Sequence, residues 1–180
     1  SLSSTFNNKN VGIGKTVTVN SITLSDGSNG GVASNYSIST GQTTTANITA
    51  KALTVSGITA SNKTYDGNTV VTLDLTGTSY TGLVSGDDVS ISASGSFDNK
   101  NVGTGKTVNI SSSYSGSDVG NYSITDQATT TANITASISG ITVRGITTSN
   151  KTYDGNNSAT LDISNVSYSG LVEGDDVTGS

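Results

Sequence analysis

The 180 residues carry a net charge of −5, with 31% hydrophobic and 12% charged residues, 22 Gly, and no His, Cys, Met, Trp or Pro. Without imidazole or thiol there is no near-neutral base, no thiolate nucleophile and no ordinary zinc, copper or haem site, so neither an enzyme nor a cofactor is expected. The acidic balance argues against nucleic acid and anionic lipid, because a phosphate binder needs clustered Lys and Arg.

No apolar run reaches the roughly 18 residues of a membrane span, and no charged-then-apolar leader resembles a signal peptide. Ser1 in place of Met reads as the start of an internal segment. A chain without Cys is indifferent to an oxidising exterior, which suits an extracellular or cell-surface location.

From the N-terminus, Phe6 is followed by NKNVGIGKTV at 8–17, which returns as NKNVGTGKTV at 99–108 behind Phe97. The Gly pairs Gly12, Gly14 and Gly103, Gly105 are expected to take positive φ in a tight turn between strands. GIGKT and GTGKT approach a phosphate-binding loop, but Lys9 and Lys100 stand where its first Gly belongs and a strand pattern follows. TTTANITA at 43–50 returns at 129–136, and SNKTYDGN at 61–68 returns at 149–156, placing Tyr65 and Tyr153 88 residues apart. Slightly different offsets put indels in loops, after Leu24 and around 137–140.

Between these blocks apolar residues alternate with Thr, Ser, Asn and Asp at period two: Leu53 and Val55; Val71, Leu73 and Leu75; Val89, Ile91 and Ala93; Val108 and Ile110; Tyr122 and Ile124; Ala132, Ile134 and Ala136. Six or seven such strands in about 88 residues, with Gly, Asn and Asp turns, predict an all-β fold of tandem immunoglobulin-like antiparallel β-sandwich repeats. A solenoid would need self-similarity inside the unit, and none is found. The predicted frame is a C-terminal half-repeat at 1–50, a complete repeat at 51–137 and an N-terminal half-repeat at 138–180; a permuted frame, 1–90 and 91–180, uses the residues equally well.

Tyr65, Asp66 and Gly67, with Tyr153, Asp154 and Gly155, read as an Asp-Gly turn with a packed Tyr, or as an anchor between modules. The pairs Asp87, Asp88 and Asp175, Asp176 are the candidate calcium ligands, with Asp66 or Asp98 as helpers, although no calcium-loop spacing is present. Lys9, Lys63, Lys100 and Lys151 each follow an Asn, so a covalent Lys–Asn cross-link is conceivable; the plainer expectation is solvated Lys blunting strand edges. Asn35, Asn47, Asn62, Asn121, Asn133 and Asn150 stand in glycosylation triplets. Phe6 and Phe97 are expected to open equivalent strands and to be core; Tyr36, Tyr80, Tyr114, Tyr122 and Tyr168 could serve a core or a glycan platform.

With SNKTYDGN, NVGxGKTV and NYSI…TTTANITA in this order, essentially the whole chain resembles the YDG/MBG repeat modules of large bacterial adhesins, of the filamentous-haemagglutinin-like, two-partner-secretion type. That resemblance implies a β-sandwich stalk module outside the cell, with neighbouring repeats as its partners and no catalytic residues. Two other expectations stand beside it: a module that binds glycan or a host receptor, and a subunit that exchanges strands with other copies to build a polymer.

Overall fold

The structure, a computed structural model, describes residues 2–138 and 140–179; Ser139, in the loop where the offsets place extra residues, lies outside them. Regular structure is almost entirely β, as the period-two pattern requires, with short 3-10 turns at Ala33–Asn35 and Val119–Asn121, each ending on the Asn of a repeated NYSI.

The chain divides into two compact units. The first gathers Ser1–Gly57, Thr78–Ser92 and Ser112–Gln127; the second gathers Ile58–Gly77, Ala93–Ser111 and Ala128–Ser180. Each unit therefore combines parts of two consecutive sequence repeats, and the division falls inside strands Ser90–Phe97 and Gly103–Ser115.

In the first unit, Leu2–Phe6, Gly12–Ile22 and Thr43–Ile48 form an antiparallel sheet in that order. A second sheet has the order Tyr122–Thr125, Lys51–Ser56, Ser79–Thr81. Leu53 and Val55 point inward from its central strand and are buried, while Lys51, Ala52, Thr54 and Ser56 are exposed, as the pleat demands.

The second unit is built on a five-stranded sheet in the order Lys63–Thr64, Thr129–Thr135, Gly103–Ser115, Ser90–Phe97, Val70–Val71. Val71, Phe97, Val108, Ala132 and Ile134 make its core, covered by Ala60, Tyr65 and Leu73. Thr59–Ala60 and Leu73–Asp74 pair antiparallel, and the same ladder recurs between Thr147–Thr148 and Leu161–Asp162.

The structure corrects the expected all-antiparallel pairing at two places. Tyr122–Thr125 runs parallel to Lys51–Ser56, and Thr129–Thr135 runs parallel to Lys63–Thr64. In each pair the two strands are joined by a long crossover and not by a hairpin, as parallel pairing requires; at Gly57, with φ +86°, the chain leaves the strand of Leu53 and Val55, and the first strand of the repeat is split between two sheets. Phe6 and Phe97 close their strands instead of opening them, and Phe6 is not core. Ala136 lies one residue beyond Thr129–Thr135 and is exposed.

Among the described residues every buried hydrophobic side chain lies between Leu53 and Ile134. Ile134 is buried, whereas its counterpart Ile48 is only half-buried. Ile134→Ala should therefore cost about 2–5 kcal/mol in denaturant titration, and Ile48→Ala about 1 kcal/mol or less; equal losses would show that the two cores are equally formed.

Candidate functional site: lysine–aspartate clasps

The NKNVG segment is a loop organised by its own Asn residues. Asn8 Oδ1 accepts the Asn10 N–H at 3.0 Å, and Asn99 Oδ1 accepts the Asn101 N–H at 3.0 Å. These short side-chain turns present Lys9 and Lys100 outward. The SGDDV and EGDDV segments supply the matching turn: the Asp87 N–H donates to Val84 O, and the Asp175 N–H donates to Val172 O, each at 3.1 Å.

In the first unit Lys9 Nζ lies 2.8 Å from Asp87 Oδ1 and 2.8 Å from Asp118 Oδ1. The Tyr122 hydroxyl donates to Asp87 Oδ2 at 2.7 Å and accepts the Val84 N–H at 3.0 Å. Asp118 is buried; its Oδ2 accepts the Asp88 N–H at 3.0 Å, while Asp88 Oδ2 accepts the Ser117 N–H at 3.0 Å. Beside the clasp, Asn121 Oδ1 accepts the Val11 N–H at 2.9 Å, strapping the lysine loop down.

In the second unit Lys100 Nζ lies 2.6 Å from Asp175 Oδ1, and the Tyr65 hydroxyl reaches the same carboxylate at 2.7 and 2.6 Å. The ammonium also stands 5.9 Å from the Tyr65 ring centroid, within cation–π range. Gly67, at φ +80°, brings the backbone so close to Val172 that a Cβ there would approach Val172 Cγ1 to 2.8 Å. Tyr65 thus reaches Asp175, 110 residues away, whereas Tyr153 is exposed.

The electrostatics are alike in both clasps. Hydrogen bonds to Asp118 and Asp87 hold the Lys9 ammonium well above its ordinary range, and Asp175 followed by Tyr65 raises Lys100. The carboxyls move the opposite way: Asp87 is lowered by Lys9 and then Tyr122, Asp118 by Lys9, and Asp175 by Lys100 and then Tyr65. Burial, with the hydrogen bond to Asp87, raises Tyr122, and the bond to Asp175 raises Tyr65.

Apart from Asp176, the candidate calcium ligands have other partners. The cation at Asp87 and at Asp175 is a lysine of this chain, Asp88 is engaged with backbone, Asp176 is exposed, and Asp66 and Asp98 pair with Lys63 and Lys106. Among the described residues no three carboxylates gather as a metal site.

The TYDGN loops close on their own lysines. Lys63 Nζ lies 2.6 Å from Asp66 and donates to Asn68 Oδ1 and Val70 O, each at 2.9 Å; Lys151 treats Asp154 and Asn156 Oδ1 alike, each at 2.8 Å. Lys63 is thus largely covered, not a solvated edge residue, and a Lys63–Asn68 cross-link would tie no distant strands together. Gly67 and Gly155 take the positive φ of the expected turn.

The GxGK segments are not hairpin turns. Gly12 and Gly103 begin long strands, and the register slips between Gly12 and Lys15 and between Gly103 and Lys106, forming bulges. Only Gly14 and Gly105 have positive φ, and their N–H groups donate to Asn47 Oδ1 and Asn133 Oδ1 at 2.8 and 2.7 Å. Asn62 Oδ1 accepts the Asn133 N–H at 2.7 Å, so several of the glycosylation-triplet amides serve the fold. Lys106 turns back to Asn99 and Asp98, and a strand follows, so no phosphate cradle forms.

The sequence offered the Lys and the Asp separately, one for the Asn before it and the other for calcium. Their pairing had a signal: opposite charges recurring at near-constant separation, 78 residues for Lys9 to Asp87 and 75 for Lys100 to Asp175. Asp118 had none, since the offset of the NYSI blocks carries it to Val32.

Because the Asp87, Asp118 and Asp175 carboxyls are lowered in the fold, their stabilisation is present above the ordinary carboxyl value of 3.8 and is lost as pH falls through the lower folded values. The raised Lys9 and Lys100 keep their share until pH climbs past 10.5. Thermal unfolding should therefore show a Tm plateau between these limits and a fall below about pH 4, reduced in Asp87→Asn/Asp175→Asn; an identical acid fall in that variant would assign the loss to other carboxyls.

No curated protein and no solved structure matches the chain. The family model described as the YDG domain matches residues 1–46 and 49–132. Most of the chain is thus covered, including one copy of the TYDGN string and both copies of NKNVGxGKTV, and the chain belongs to the YDG domain family.

Proposed function

We propose that this chain is a stretch of a bacterial cell-surface or extracellular fibre, in which tandem immunoglobulin-like β-sandwich repeats of about 88 residues form a stalk or matrix filament. The adhesin resemblance of its ordered motifs belongs to this reading, as does the extracellular location. The role is structural: Lys9, Lys100 and Tyr65 spend their charge and hydrogen bonds on carboxylates of the neighbouring repeat, and the chain is read as no enzyme and as needing no cofactor.

The observation that supports this most is the recurrence of one ion pair. Lys9 in residues 1–50 grips Asp87 in residues 51–137, and Lys100 in residues 51–137 grips Asp175 in residues 138–180. A joint remade with the same residues at each boundary is what a load-bearing array of beads needs, and each repeat then has its neighbours as partners. In this frame 51–137 is the sequence repeat, while folding cooperativity extends across the joints.

Electron microscopy of the full-length protein on its cells and after shedding should show thin fibres with a bead spacing of about 30–45 Å, the length of a sandwich whose strands rise about 3.3 Å per residue. Compact particles without fibres would reject the stalk and favour a discrete glycan-binding module.

A further inference from the structure

The repeated NKNVGxGKTV block holds a second lysine, Lys15 or Lys106, which turns back on its own loop. In the second unit it is the better covered of the two: the Lys106 side chain is 10% exposed, against 40% for Lys100, whose ammonium reaches Asp175. An ammonium withdrawn from water to that extent must be hydrogen-bonded in return. Its partners are Asp98 Oδ1 at 3.1 Å and Asn99 Oδ1 at 2.8 Å.

The route to Asn99 depends on the bulge. On a regular strand, residues an odd number apart point to opposite faces, so Gly103 and Lys106 would not meet. The register slips between them, and Gly105, at φ +60° with its N–H on Asn133 Oδ1, accommodates the slip. The Lys106 stem thereby folds back over Gly103, so near that a Cβ there would stand 3.2 Å from Lys106 Cγ and 3.3 Å from Cδ. Glycine is needed at 103 for room.

Asn99 Oδ1 is also the oxygen that accepts the Asn101 N–H at 3.0 Å. Asn99 and Asn101 bracket Lys100, so this turn decides where Lys100 points, and Lys106 holds the turn from the strand. The same arrangement stands in the first unit. Lys15 donates to Asn8 Oδ1, which accepts the Asn10 N–H at 3.0 Å, and a Cβ on Gly12 would meet Lys15 Cγ and Cδ at 3.3 Å. Asn7 stands there in place of Asp98. The carboxylate is therefore dispensable, and the asparagine oxygen is the partner common to both copies.

We propose that Lys106, and Lys15 in the first unit, are positioning residues for the clasps: the ammonium fixes the asparagine turn, and the turn holds Lys100 at Asp175 and Lys9 at Asp87. This rests on the reading of the clasps as joints between repeats and names what sets their strength. The GxGK pattern then serves the joint. Its first glycine clears the path of the lysine stem, its second carries the bulge, and its lysine closes the loop. A clasp lysine already aimed at its carboxylate loses less side-chain and loop freedom when the pair forms.

Lys106→Met keeps the stem and removes the ammonium, whereas Gly103→Ala crowds the stem and keeps every charge. Circular dichroism checks that each remains folded, and Gly103→Ala decides alone should Lys106→Met not fold. Nuclear Overhauser contacts between the Lys100 methylenes and the Tyr65 ring should be present in the unaltered chain, vanish in Lys106→Met and weaken in Gly103→Ala. Lys100→Met supplies a second readout. It should raise the Asp175 carboxyl pKa in an NMR titration, because Lys100 is the main group holding that carboxyl down. In the Lys106→Met background the same substitution should raise it by about half as much or less, and the distant charge of Lys106 cancels in that comparison. Undiminished ring contacts, or equal rises in the two backgrounds, overturn the proposal. Neither result bears on fibres in the microscope, so a failure here leaves the stalk reading and its Lys100–Asp175 joint in place.

Discussion

A half-repeat of this chain has too little apolar surface to close a core by itself, and the arrangement of both units follows from that shortage. Among the described residues, the hydrophobic side chains that become buried belong to Leu53–Ile134 alone, although the same motifs stand on either side. Burying a Val, Ile or Phe side chain is worth roughly 1.5–3 kcal/mol, so the difference between Phe97 and Phe6, or between Ile58 and Ile146, is the difference between a core and a surface. Repeat proteins behave this way: each repeat draws much of its stability from the neighbours it packs against.

The clasps act on geometry more than on stability. An exposed ammonium–carboxylate pair contributes little in water, and Lys9 keeps much of its surface. What is unusual is the acceptor side, where Asp118 is buried, Asp87 is shielded, and each is fixed by N–H or hydroxyl donors before the lysine arrives. Carboxylates held in this way fix where the Lys9 ammonium sits, between Asp87 and Asp118. The Tyr65 arrangement around Asp175 does the same with a phenol and a ring face.

The polar faces of the strands are just as ordered. Ser90 and Ser115 hydroxyls meet at 2.9 Å, Ser92 and Ser113 at 2.8 Å, and Ser3 and Ser21 at 2.7 Å. Cross-strand hydroxyl pairs of this kind add small increments to pairing while leaving the surface hydrated and nearly free of charge. That explains how a chain with few charged residues and many Ser and Thr can present long strands without a broad apolar face.

The sequence by itself determined the all-β class, the period of about 88 residues, the inward positions Leu53, Val55, Val71, Val108 and Ile134, and the positive φ of Gly14 and Gly105. These depend on side-chain alternation and local backbone sterics, which a linear reading contains. It did not determine that Gly57 splits the first strand between two sheets, that the GxGK segments are bulges, or that Lys9 and Lys100 cross a repeat boundary to Asp87 and Asp175. Those outcomes turn on which segments meet across 75 or more residues. Only packing decided them, because identical motifs were buried in one repeat and exposed in the next according to what lay against them.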